Sequence, residues 1–100
     1  MNAKKIKIAG YTVSIFESPN LIPNESRIGE YSPFEQSINI ATGLTGQQRV
    51  ETIIHEVLEA INDIYELGLE HDTQLCKLSV AIHQILTDNE ELINALYSCD

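Results

Sequence analysis

Hydropathy changes period once along this chain, near Thr45, and that change sets the fold class. Before it, Lys5-Ile6-Lys7-Ile8 and Thr12-Val13-Ser14-Ile15-Phe16 alternate polar with apolar residues, the period of a sheet with one buried face. Ala9-Gly10 allows a bend or bulge between these two runs. Ser18-Pro19-Asn20 and Pro23-Asn24-Glu25 punctuate a loop. Arg27-Ile28-Gly29-Glu30-Tyr31 and Glu35-Gln36-Ser37-Ile38-Asn39-Ile40 then read as two short strands turning at Ser32-Pro33-Phe34. The expectation is three to four strands, paired antiparallel.

After Thr45 the apolar residues recur every three or four positions. Thr45 caps a predicted helix from about Gly46 to Leu67, with Gln48 as its capping-box partner and Gly68 as the C-terminal stop. Val50, Ile53, Ile54, Val57, Leu58, Ile61, Ile64 and Tyr65 form one broad stripe that packs on the sheet. A second helix is expected from His71-Asp72-Thr73 to Leu86, burying Leu75, Leu78, Ile82, Ile85 and Leu86. Asp88-Asn89-Glu90-Glu91 breaks and recaps the chain for a short last helix carrying Leu92, Ile93, Leu96 and Tyr97. The fold class is therefore α+β: a short antiparallel sheet followed by two long helices and a short C-terminal one. A length of 100 residues accommodates one core, so residues 1–100 read as one domain.

The chain carries 15 acidic and 6 basic side chains, a net charge of −9, which repels phosphate backbones and anionic lipid surfaces. Nucleic acid and membrane are poor partners for it. The early lysines of MNAKKIKIAGYTVSIF precede an alternating segment rather than the apolar run of a signal peptide or a span, so a cytoplasmic location is expected. Cys76 and Cys99 fit no CxxC or disulfide-framework spacing; Cys76 reads as a small buried hydrophobe and Cys99 as a terminal thiol. The four tyrosines are scattered and read as packing residues.

Chemistry concentrates in TIIHEVLEAIN, residues 52–62. His55 and Glu59 are four apart, one helical turn, so both can point at one ion, while Glu56, about 100° round the helix, can face a water bound to it. Zinc accepts imidazole nitrogen and carboxylate oxygen, and a catalytic zinc keeps a position for water. The ion acidifies that water, and Glu56 would receive its proton as general base. The competing reading is a solvated face: His55 and Glu59 lie roughly 140° and 180° round from Val50, off the apolar stripe and beside Asn62 and Glu66.

The order IKIAGYTVSI, RIGEYSPFEQSINIAT, RVETIIHEVLEAINDIYELGLEH, LSVAIHQILTDNEEL resembles the small zincin-type metallopeptidase-like proteins of phages and bacterial mobile elements, relatives of the ImmA/IrrE group. The likeness covers nearly the whole chain, with HExxE in place of HExxH as in a subset reading HExxEAIN followed by LxH. It implies a zinc ion, His55 and Glu59 as ligands, Glu56 as general base and His71 as third ligand, acting on a peptide or protein substrate. His71 stands twelve residues beyond Glu59, and a helix straight to Leu67 would end roughly 12 Å from Glu59 along its axis. His71 thus reaches the site only if the helix stops early, near Asn62 or Asp63, or the next helix crosses steeply; in a plain antiparallel hairpin His83 is the rival. A non-catalytic module of the same fold, binding and modulating a host or phage protein, is the alternative function. An acidic structural or assembly protein whose HExxE is coincidental is the third.

A substrate strand for an extended peptide is expected at Ser37-Ile38-Asn39-Ile40, just before the helix. Glu51, Glu66 and Glu70 read as solvated charges, and His83 as a flank residue on a half-exposed helix.

Overall fold

The computed structural model describes residues 4–19 and 28–98. Strands β1 (Lys4–Ile8) and β2 (Tyr11–Ser18) pair antiparallel in a register that sets Ile8 opposite Tyr11. Only Ala9 and Gly10 remain for the turn, and both take positive φ, 50° and 87°. That is the tight hairpin turn whose twist matches the strands, rather than a bulge.

Strands β3 (Gly29–Ser32) and β4 (Ser37–Ala41) form a second antiparallel pair, but β4 also lies parallel to β2, with Ile15 opposite Ile38. The sheet order is β1-β2-β4-β3, so the sheet is mixed and not purely antiparallel. This corrects the expected edge as well: Ser37–Ile40 lies in an interior strand, flanked by neighbours on both sides, and the edge beside the helix is β3. The predicted loop at Asn20 to Glu25 and the start of the third strand at Arg27 lie outside the described residues.

Helix α1 (Gly46–Ile64) begins at the expected capping box, with Thr45 Oγ1 accepting from Gln48 N and Gln48 Oε1 accepting from Thr45 N, both at 3.2 Å. Its residues Ile53, Val57, Ala60, Ile61 and Ile64 close over Ile8, Val13, Ile38 and Ile40 to make the core. Each fully buried aliphatic side chain stabilises by about 1.5–3 kcal/mol. The half-exposed Arg49–Glu17 ion pair at 2.8 Å joins the same helix to β2 but contributes about 1 kcal/mol at most, so apolar packing decides where α1 sits. The expected stripe is rotated: Val50 and Tyr65 are exposed, and the deepest line is Thr52, Glu56 and Ala60.

The helix stops three residues before the predicted end. Glu66 N–H bonds Asp63 O (3.2 Å) and Leu67 N–H bonds Asn62 O (3.0 Å), the two reverse bonds of a Schellman stop. Glu66, not Gly68, takes the left-handed residue of that motif (φ 54°), and Gly68 (φ 71°) turns the chain a second time.

A π-helical turn, His71–Leu75, leads into α2 (Cys76–Asp88), and α3 (Glu90–Tyr97) follows. Glu70 caps the wide turn, its carboxylate accepting from Thr73 N and Oγ1, both at 2.6 Å. These bonds hold the Glu70 carboxyl below the usual range. The buried line runs from Leu75 at the end of the π-helical turn through Ser79 and His83 of α2, whereas Leu78, Ile85 and Leu86 are 41%, 40% and 43% exposed. Of the expected face Leu75 is buried and Ile82 half-buried, and the other three are exposed because α2 meets α1 through polar groups.

The strain at Glu66 is testable. A left-handed L-residue costs about 1–2 kcal/mol, part of which glycine's extra freedom in the unfolded chain offsets. Glu66→Gly is expected to raise stability by about 0.5–1 kcal/mol in urea unfolding with an unchanged slope; an unchanged or lower midpoint contradicts the assignment of the stop.

Candidate metal centre

Three donor atoms from two segments meet beside α1. His55 Nε2 lies 3.0 Å from Glu59 Oε2 and 3.1 Å from His71 Nε2, and His71 Nε2 is 3.6 Å from the same Glu59 oxygen. Ligands about 2.0–2.1 Å from a tetrahedral zinc stand roughly 3.3–3.4 Å apart, so the triangle has the size of one face of such a tetrahedron. His55 and Glu59 are half-buried, 21% and 31% exposed, and His71 is 53% exposed.

The His55–Glu59 edge follows from the helical spacing; the third corner depends on the chain folding back. After the Schellman stop the Asn62 side chain binds the returning backbone at both ends of its amide: Leu69 N–H donates to Asn62 Oδ1 (2.9 Å), and Asn62 Nδ2 donates to Leu69 O (3.2 Å). Leu69 is thereby fixed within one turn of Glu59, and His71 comes back over the carboxylate.

Neighbouring groups orient the two rings. His71 Nδ1 is 2.8 Å from Asp72 Oδ1, and since a carboxylate only accepts, Nδ1 is the donor of that pair and Nε2 is the ring nitrogen turned to the cluster. The same bond, reinforced by Glu59, raises the His71 pKa, although desolvation opposes it. Ser79 Oγ donates to the Cys76 carbonyl (3.0 Å) and keeps its lone pairs for His55 Nδ1 at 3.5 Å. Converging lone pairs of two imidazoles and a carboxylate are what a divalent cation coordinates.

Glu56 is 5% exposed, and a carboxylate oxygen of it lies within 4.8 Å of donor atoms on His55 and Glu59. Gly29 of the edge strand makes room for it: a Cβ there would stand 2.9 Å from Glu56 Oε2 and 2.6 Å from Thr52 Cγ2. Strand β3 thus lies directly on the helix. Beside it runs a cleft of about 450 Å³ lined by Ile28, Glu30 and Tyr31 on one wall and His55, Glu56, Glu59 and His71 on the other. A second, more apolar cleft of about 250 Å³ opens between α1 and α2, reached from His55 and Glu56 past Cys76, Ser79 and Val80.

Every residue singled out for the site is therefore in the cluster except the rival His83. Its Nδ1 pairs with Glu51 at 3.3 Å, one turn before His55, and it is 8% exposed, so it is neither a half-exposed flank residue nor a member of the triangle. Asn62, Asp72, Ser79 and Gly29 went unrecognised as supports. The sequence places Asn62 on the polar face and near an early helix end but does not show its grip on Leu69, because a side chain binding backbone seven residues away leaves no periodic signal. Cys76 also proves closer to the chemistry than a small buried hydrophobe, since it comes within 4.8 Å of His55 and His71 donor atoms.

Comparison with protein-family models, with curated proteins and with solved structures finds no match to this chain. Among the described residues no helix is long and apolar enough to cross a membrane.

Tyr31, on the cleft wall, donates its hydroxyl to Asp63 Oδ2 at 3.0 Å. Burial first, then the bond to and charge of Asp63, push its pKa from 10.0 up to about 12. The folded chain holds this proton more tightly than the unfolded one, so the contact's stabilisation is complete below pH 10 and vanishes as pH rises from 10 to 12. Absorbance titration is expected to show a phenol ionising at about 12 that Tyr31→Phe removes; its appearance at the ordinary value contradicts the contact.

Proposed function

We propose that this chain is a zinc-dependent hydrolase of peptide bonds, of the kind suggested by its resemblance to the zincin-like proteins of phages and mobile elements. The observation that carries the reading is the triangle of His55 Nε2, Glu59 Oε2 and His71 Nε2, with edges of 3.0, 3.1 and 3.6 Å. Two histidines and one glutamate are a known catalytic zinc set, and a zinc ion held there supplies an acidified water and polarises a carbonyl.

The remaining work falls to this chain's own groups. Glu56, buried and with a carboxylate oxygen within 4.8 Å of donor atoms on His55 and Glu59, takes up a proton from the attacking water and returns it to the leaving amine. Its burial keeps bulk water from competing for the proton. The edge strand β3 borders the same cleft, so an extended peptide adding to it would run past His55 and Glu56. Gly29 lets β3 itself lie against the helix without displacing the base.

The test uses protein purified without an affinity tag and a library of quenched fluorescent peptides. Stoichiometric zinc uptake is expected, weakened by His71→Ala. Glu56→Gln should keep the zinc and lose about 100- to 10,000-fold in turnover. Failure to bind zinc contradicts the centre, and undiminished turnover in Glu56→Gln contradicts the base. Zinc uptake without turnover in any variant favours the second reading, a module that binds a host or phage protein.

A further inference from the structure

The two imidazoles have a further potential partner on their other side. Cys76 offers its thiol within 4.8 Å of a nitrogen on each of His55 and His71, and it is a free, partly buried cysteine. It stands five residues after His71 at the close of the π-helical turn, where its own N–H bonds the His71 carbonyl. That bond places the two residues one above the other on the face turned to α1. Glu59 opens into the polar cleft beside β3, whereas Cys76 lines the apolar cleft between α1 and α2; His55 borders both.

We propose that His55, His71 and Cys76 form a second donor set, sharing its imidazoles with the first, that captures thiophilic cations. The inference rests on the metal-centre reading and extends it to the choice of ion. Two nitrogens and a thiolate suit soft and borderline metals, while the set completed by Glu59 supplies a harder oxygen. Nitrogen and sulfur ligands of one tetrahedral ion stand about 3.6 Å apart. The observed donor atoms lie within 4.8 Å of one another, and the thiol turns about a single χ1 bond. The thiol releases its proton to solvent as the metal–sulfur bond forms, and no oxidant or reductant takes part. The ion's identity thus decides which cleft it faces: oxygen-preferring ions stand beside the edge strand, and thiophilic ions are drawn toward the gap between the helices. A cation such as cadmium then occupies the imidazoles without the Glu59 carboxylate and competes with zinc for them.

Cadmium titration of the reduced 100-residue chain with Cys99→Ser, which leaves Cys76 as its one thiol, provides the test. Ultraviolet absorbance reads the thiolate–cadmium charge-transfer band, and calorimetry reads binding of cadmium and zinc separately. The expected result is a band that saturates with stoichiometric cadmium and disappears on adding Cys76→Ser, with cadmium affinity falling about tenfold or more, at least what loss of a supporting partner costs a metal site. Circular dichroism establishes that the doubly substituted chain is folded, and Cys76→Ala serves as a second variant if serine disturbs the interface. Zinc binding accompanied by cadmium binding without the band overturns the thiolate set and leaves the first donor set standing. Absence of binding for both metals overturns both.

Discussion

The grip of one side-chain amide on a returning backbone holds the candidate centre together. Asn62 ends the last full turn before the Schellman stop and binds Leu69 through both its donor and its acceptor, as a neighbouring strand would. His55 and Glu59 share a helical turn and meet with little help. His71 does not: it comes from a different element, on the far side of a reversal that places Glu66 and Gly68 in left-handed conformations. Backbone strain at Glu66 is accordingly located where the chain must turn back, and the asparagine fixes how far it returns.

The second constraint is the polar contact between α1 and α2. Ser79 faces His55 and His83 faces Glu51, so the helices meet along a line where a sequence reading expects leucines. Leu78, Ile85 and Leu86 are left exposed as a result. An interface of this kind gives up apolar burial to orient imidazoles. Asp72 acts similarly on His71, fixing which nitrogen faces the cluster.

Much of the architecture was legible because it follows from local periodicity. The switch near Thr45, its capping box with Gln48 and the alternation in β1 and β2 needed only nearest neighbours to be read. The parallel pairing of β2 with β4 was not, because it depends on residues brought together from distant parts of the chain, and with it went the identity of the edge strand. At the site, the spacing of His55, Glu56 and Glu59 carried its own geometry. His71 reaches the site only with a helix end near Asn62 or Asp63 or a steep crossing of the next helix, and α1 ends close by, at Ile64. Glycine at Gly68 gave a misleading stop signal because a glutamate two residues earlier adopts the conformation usually left to glycine. Gly29 had no signal either, since its value lies in the Cβ that would otherwise meet Glu56.

If His55 and Glu59 hold a zinc ion, the reversal fastened by Asn62 brings a second imidazole onto it. X-ray absorption at the zinc edge counts imidazoles directly, because the ring's outer atoms scatter in a recognisable pattern. The zinc-loaded chain should show two, at nitrogen distances of about 2.0–2.1 Å, and Asn62→Ala should show fewer than two. A wild-type spectrum with one imidazole or none contradicts the account.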